Sequence, residues 1–175
     1  MNKLLRLAAV AAMAMGSQSA MAQSASGDAT VTVVTPIVVS KTTNLVFGQL
    51  YSGAGTSIIS TAGVQNGGTA VMAGTQTVSA AVFSVQGQGA FAYTPTITVT
   101  PASPAVAGLA ISAMLGRCGT GADVVLPPAA PTAVTGCVLT AGAGTVAVGG
   151  TVTIAAAATP GVHTVGAIVV TVAYN

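Results

Sequence analysis

The C-terminal run 160–175, PGVHTVGAIVVTVAYN, constrains the fold more than any other stretch of the chain. After a Pro-Gly turn signal, its side chains alternate with the period of a β-strand. One face carries the residues that we predict to form the core of this last strand, Ile168, Val170, Val172 and Tyr174. A strand this apolar is expected to lie between partner strands inside a layered β-structure. The preceding chain must therefore supply those partners.

Several earlier segments show the same alternation. Residues 94–100, TPTITVT, place Ile97 and Val99 on one face and threonines on the other, and segments 30–40 and 44–50 also read as strands. Gly149-Gly150 is typical of a turn between two strands. Short apolar runs separated by glycine predict an all-β fold. We expect a single immunoglobulin-like antiparallel β-sandwich of about eight to ten short strands.

The first 22 residues predict a signal peptide that is cleaved on export. Lys3 and Arg6 precede an apolar run, and Ala20-Met21-Ala22 provides an A-x-A cleavage site before Gln23. The prediction divides the chain into a signal peptide (1–22), a flexible leader (23–27) and one β-sandwich domain (28–175). We expect a secreted protein, in the periplasm or at the cell surface of a bacterium, with no integral membrane segment after cleavage.

Export determines how the two cysteines are interpreted. Cys118 and Cys137 are the only cysteines, and an oxidising compartment favours a disulfide between them. A zinc site is the alternative, but two thiols without a neighbouring histidine or carboxylate pair do not complete a tetrahedral shell. The sequence therefore predicts a disulfide that closes a loop rich in glycine and proline.

The composition argues against catalysis. Only 3% of the residues are charged, although 52% are apolar, and beyond the signal peptide Lys41 and Arg117 balance Asp28 and Asp123. With only two aspartates and no glutamate, the chain has few residues from which a pair of catalytic carboxylates could be built. The single histidine, His163, has no second imidazole to act with. A chain without a basic surplus also lacks the electrostatic signature of nucleic-acid binding. We expect no enzyme activity, no catalytic residues, no cofactor, no metal site and no nucleic-acid partner.

Three blocks of the chain resemble a known family: VTVVTPIVVSKTTNLVFGQL, VAVGGTVTIAA and the ending PGVHTVGAIVVTVAYN. They are similar to the bacterial family called domain of unknown function 4402. The matching residues are Leu45, Phe47, Gly48, Gly149, Gly150, Thr151, Gly161, Val170, Val172 and Tyr174. That family is similar in turn to subunits of archaic chaperone-usher pili of the spore-coat-protein-U type. The resemblance implies a pilin-like sandwich, a fimbria-like role at the cell surface, and a periplasmic chaperone as a partner.

The N-terminal strand is the candidate for assembly. Val31, Val33, Ile37 and Val39 share one apolar face of segment 30–40, directly after the leader. Such a strand pairs either within its own sandwich or in the groove of a neighbouring molecule, and both alternatives stay open. We expect a secreted structural subunit that associates with itself or with other surface or fimbrial subunits. The alternative is an extracellular module that binds carbohydrate, ice or protein through its loops or its T-x-T strand faces.

Overall fold

The computed structural model describes residues 23–103 and 105–175, and the predicted signal peptide lies outside the described residues. Residues 34–175 form one compact unit, whereas residues 23–33 form no strand and are exposed. The described residues form eleven strands and no helix. They are β1 (Val38–Thr43), β2 (Gly55–Ile59), β3 (Gln65–Gly68), β4 (Ala81–Gln86), β5 (Ala92–Pro101), β6 (Leu109–Cys118), β7 (Val124–Leu126), β8 (Thr132–Ala133), β9 (Cys137–Val138), β10 (Ala143–Ile154) and β11 (Gly166–Tyr174).

These strands form two antiparallel sheets, which confirms the predicted β-sandwich. The larger sheet has the order β1-β4-β10-β2-β3, with β6 on the other edge of β10 and β7 next to β6. The smaller sheet is centred on β5, which pairs with β11 along one edge and with the short strands β8 and β9 along the other. Strands that are distant in sequence are therefore neighbours in both sheets.

The alternation of side chains places the core between the sheets. In β5, Tyr93, Ile97 and Val99 are buried, and the threonines between them point outward. Phe83, Val85, Val146 and Val148 supply the facing layer from β4 and β10. On β11, Val170 is buried, and Ile168, Val172 and Tyr174 pack against the same cluster. The predicted inner face of the last strand thus faces the core.

The prediction of a turn at Gly149-Gly150 is wrong, because both residues lie within β10, the longest strand. Before this pair β10 is bonded to β4, and after it β10 is bonded to β2 on the same edge. A Cβ on Gly149 would lie 2.5 Å from the carbonyl oxygen of Ile59, and a Cβ on Gly150 would collide with Met114. Glycine is needed here for close packing rather than for a change of chain direction.

The predicted strand 30–40 is also corrected. Residues 30–37 form no strand, and β1 begins only at Val38 and continues to Thr43. Pro36 has no N–H to donate to a ladder. The Thr35 N–H donates instead to the side-chain oxygen of Gln88, at 3.2 Å. Pairing of β1 with β4 therefore starts at Val38, two residues after the proline.

The Cys118–Cys137 disulfide is present, as predicted, and it joins the two sheets. Cys118 ends β6 in the larger sheet and Cys137 begins β9 in the smaller sheet. Their Cα atoms are 5.7 Å apart, and both residues are buried. The loop between them contributes β7 and β8, one to each sheet. The bridge therefore fixes a loop that takes part in both layers.

We expect Ser57→Ala to raise the free energy of unfolding by about 1 kcal/mol, because a buried polar atom without a partner destabilises the folded state. Ser57 lies on β2 and is 0% exposed, and its hydroxyl has no hydrogen-bond partner among the described residues. Ser79→Ala is the control, since that hydroxyl donates to the carbonyl of Asn44 at 2.8 Å. Urea denaturation compares the two variants. A loss of stability in Ser57→Ala as large as that in Ser79→Ala would contradict the prediction.

Candidate functional site

The last strand, β11, is an edge strand. It pairs with β5 along its whole length, from Gly166 opposite Pro101 to Tyr174 opposite Tyr93. No strand of the described residues pairs with its other edge, so the expectation of partners on both sides is wrong. An edge of this length presents unpaired N–H and C=O groups to any extended chain that reaches it.

Beside this edge lies a wide opening into the core, with an apolar floor and partly polar walls, which we call the β11 groove. Its volume is about 1010 Å³. One wall is formed by residues 44–52 and the other by residues 158–168, which include the start of β11. The floor consists of core side chains from three strands, β4, β6 and β10: Phe83, Ile111, Met114, Val152 and Ile154. The two sheets are thus incompletely closed along this side of the sandwich.

The first wall is held by isolated contacts instead of the strand that we predicted over residues 44–50. Val46 forms a bridge with Ser79, and Leu50 forms one with Met72. Gly48 lies between them with a φ of 83°, which interrupts the extended backbone. The wall therefore follows the groove as a loop, with Leu45 packed against the core cluster.

The second wall contains the single histidine of the chain. The Nε2 atom of His163 lies 2.7 Å from the carbonyl oxygen of Thr159, so an N–H at this position donates to that carbonyl. This contact spans the Pro160-Gly161 turn that leads into β11. The partner of His163 is thus a main-chain carbonyl four residues earlier in the same loop.

The C-terminal end of β11 is tied to the chain that precedes β1. The Tyr174 hydroxyl donates to the carbonyl of Thr35 at 2.8 Å and accepts from the N–H of Gln88 at 2.6 Å. Ile37 and Val39 pack against the core cluster. The groove is lined by residues near the other end of β11, from Gly166 to Ile168.

The four predicted assembly residues fall into two pairs. Ile37 and Val39 are partly buried, and Val39 lies opposite Val85 in the ladder between β1 and β4. Val31 and Val33 are 88% and 87% exposed and belong to no strand. The leader and the start of the predicted domain therefore offer an apolar, unpaired segment. The sequence pattern identified this segment, but it did not reveal the groove.

The described residues contain no group of three or more His, Cys, Asp or Glu side chains that could hold a metal ion. Burial raises the pKa of the Tyr93 phenol, which is enclosed in the core. None of the described residues belongs to a helix long and apolar enough to cross a membrane.

The features expected of a binding module are dispersed. Thr96, Thr98 and Thr100 line the outer face of β5, whereas Thr151 and Thr153 belong to β10 in the other sheet. Three aromatic residues that lie near loops also differ in their surroundings. Tyr93 is buried in the core, Phe91 packs edge-on against Tyr174 at 5.6 Å, and Tyr51 lines the groove. The two T-x-T segments within strands thus do not form one array.

Comparison with protein families agrees with the resemblance seen in the sequence. The model of the family described as a domain of unknown function, DUF4402, matches residues 37–174. No curated protein and no solved structure matches the chain. The match spans β1 to β11, including both walls and the floor of the β11 groove. The chain therefore belongs to the DUF4402 family.

Proposed function

We propose that the protein is an exported, non-enzymatic structural subunit that assembles with copies of itself at the bacterial cell surface. The observation that carries this proposal is the β11 groove, an opening with an apolar floor beside a strand edge without a partner. An exposed edge beside an open core favours the addition of an extended segment from another chain. In this proposal, the segment comes from the N-terminus of a second copy.

The inserted segment is 24–34, SASGDATVTVV, which forms no strand in its own chain. When extended, its eleven residues span about 36 Å, which is long enough to cover the roughly 30 Å of the nine-residue β11. Val31 and Val33 would face the groove floor, and main-chain hydrogen bonds would form with the free edge of β11. Each valine that leaves water would contribute about 1.5–3 kcal/mol of transfer free energy.

The resemblance to archaic pilins supports this mode of association, because those subunits combine the same kinds of early and final strands. A fimbria-like polymer is therefore the form of assembly that we propose. A periplasmic chaperone would cover the groove before assembly, since an open apolar groove in a free subunit exposes the chain to unwanted association. The alternative proposal is an extracellular module that binds carbohydrate, ice or a protein surface through its loops or its T-x-T strand faces. Binding to polysaccharide or thermal hysteresis would support it.

We expect Val33→Lys to reduce assembly at least about tenfold while the monomer stays folded, because burial of an unpaired ammonium in an apolar groove is unfavourable. Val33 is 87% exposed in the isolated chain, so the substitution removes no buried contact there. Thr32→Lys is the matched control. It adds the same charge one residue away, on the face that would point to solvent.

Size-exclusion chromatography with light scattering, together with circular dichroism, measures assembly and folding of the exported full chain. Polymers from Thr32→Lys but not from Val33→Lys would support insertion of the segment. Two results would overturn it. If Val33→Lys polymerises like the unsubstituted protein, the segment is not inserted, and if the variant unfolds, the segment is internal to its own sandwich.

A further inference from the structure

Two of the few charged side chains lie on the two elements that the proposed assembly brings together. The described residues include only Asp28, Lys41, Arg117 and Asp123 as charged side chains. Asp123 accepts a hydrogen bond from the Thr61 hydroxyl at 2.8 Å, and Arg117 lies within β6. Asp28 lies on the segment proposed to insert, and Lys41 lines the β11 groove.

Lys41 occupies an unusual position on β1. It lies opposite Phe83 in the ladder between β1 and β4, and Phe83 is buried in the core. Residues directly opposite in an antiparallel ladder share a face, so the backbone directs Lys41 toward the groove. The side chain is nevertheless exposed, which places its ammonium at the groove rim. The groove-lining residues include no carboxylate that could accept it.

Asp28 is the only charged residue of the inserted segment. It precedes Val33 by five residues, or about 17 Å of extended chain. Strand alternation places Asp28 on the face opposite Val31 and Val33. When the valines point into the groove, the carboxylate points outward, to the rim where the lysine stem carries its ammonium.

We infer that Asp28 of one copy pairs with Lys41 of the next, and that this ion pair guides the segment into a single register in the groove. The inference rests on the proposed function, since it requires the segment to insert into a second copy. An exposed pair adds little affinity on its own. Complementary charges at a rim act mainly on the rate and register of association, and they do so in a salt-dependent way.

Charge reversal in the exported full chain tests the pair. Asp28→Lys and Lys41→Glu each place like charges together, and we expect either one to lower the initial assembly rate about fivefold or more at low salt. The double variant restores an opposite pair and should assemble at nearly the original rate. Light scattering in about 0.02 M and 0.5 M NaCl measures the rates, and high salt should reduce the differences because it screens exposed charges.

A substitution that removes the charge of Lys41 distinguishes recruitment of the segment from a second possible role of an inward-pointing lysine. Such a lysine protects an edge strand against unwanted pairing. If Lys41 recruits the segment, Lys41→Met slows assembly. If Lys41 instead protects the edge strand from pairing, Lys41→Met accelerates assembly, and this result would overturn the inference. Thermal unfolding of each monomer shows whether the fold is retained.

The failure of this inference is distinguishable from the failure of the proposed function. If both single reversals and the double variant assemble at the original rate while Val33→Lys is blocked, the ion pair is overturned and segment insertion stands. If the double variant is no faster than the single variants, the pair is also overturned, because an opposite pair then fails to rescue assembly. If Val33→Lys assembles normally, the proposed insertion itself is wrong.

Discussion

Gly149→Ala should destabilise the domain by about 3 kcal/mol or more, although it adds a single methyl group. The new Cβ would lie 2.5 Å from the carbonyl oxygen of Ile59, 2.6 Å from the carbonyl carbon of Ser60 and 2.7 Å from the backbone nitrogen of Thr61. All three are main-chain atoms, so no side-chain rotation relieves the overlap. The strand has no room to retreat, because β10 is bonded to β2 on one edge and to β6 on the other.

Urea denaturation of Gly149→Ala and of a matched control, Gly53→Ala, measures this effect. A Cβ on Gly53 would meet nothing within 4 Å, so the control should change stability by less than about 1 kcal/mol. Equal stability of the two variants would contradict the packing described around β10. A folded Gly149→Ala domain with an unchanged transition midpoint would lead to the same conclusion.

Removal of the disulfide is expected to have a similar effect. Replacement of Cys118 and Cys137 by alanine should lower the free energy of unfolding by about 3 kcal/mol, because the unfolded chain regains the freedom of the loop between them. The cysteines are 19 residues apart in the sequence and belong to different sheets. Their loss frees β7 and β8 together, which should weaken one edge of each layer.

Denaturation with and without reductant measures the contribution of the bridge. The unsubstituted protein should lose about 3 kcal/mol in reductant, whereas the double alanine variant should not respond to it. Native thiols that alkylate without prior reduction would contradict the bridge. The alanine variant also controls for direct effects of the reductant on the rest of the domain.

The parts of the fold that follow from local pattern were predictable from the sequence. Ile97 and Val99 alternate with threonines, and the observed β5 buries both of them. The inner face of β11 follows from the same period of two, since Ile168, Val170, Val172 and Tyr174 all meet the core cluster. Alternation is a local property, so the inner face of a strand can be predicted before its neighbouring strands are known.

The errors have a different physical origin. Gly149-Gly150 has the composition of a turn, but its glycines are required by backbone from residues 59–61 and by Met114, which are remote in sequence. The edge position of β11 depends on the order of strands in the sheet, which no local pattern contains. The β11 groove draws its floor from β4, β6 and β10, so it was visible only after these strands had been placed side by side.

The most direct test of the proposed assembly is to locate Val33 in the polymer. A photoreactive amino acid at position 33 is introduced into the full chain. Exported protein labelled with light nitrogen is mixed with an equal amount of protein labelled with heavy nitrogen before polymerisation. Insertion between copies predicts cross-links from position 33 to residues 44–52 or 158–168, with half of them joining a light chain to a heavy chain. Cross-links to these residues that join only chains of the same label, or cross-links to other surfaces, would contradict the proposed assembly.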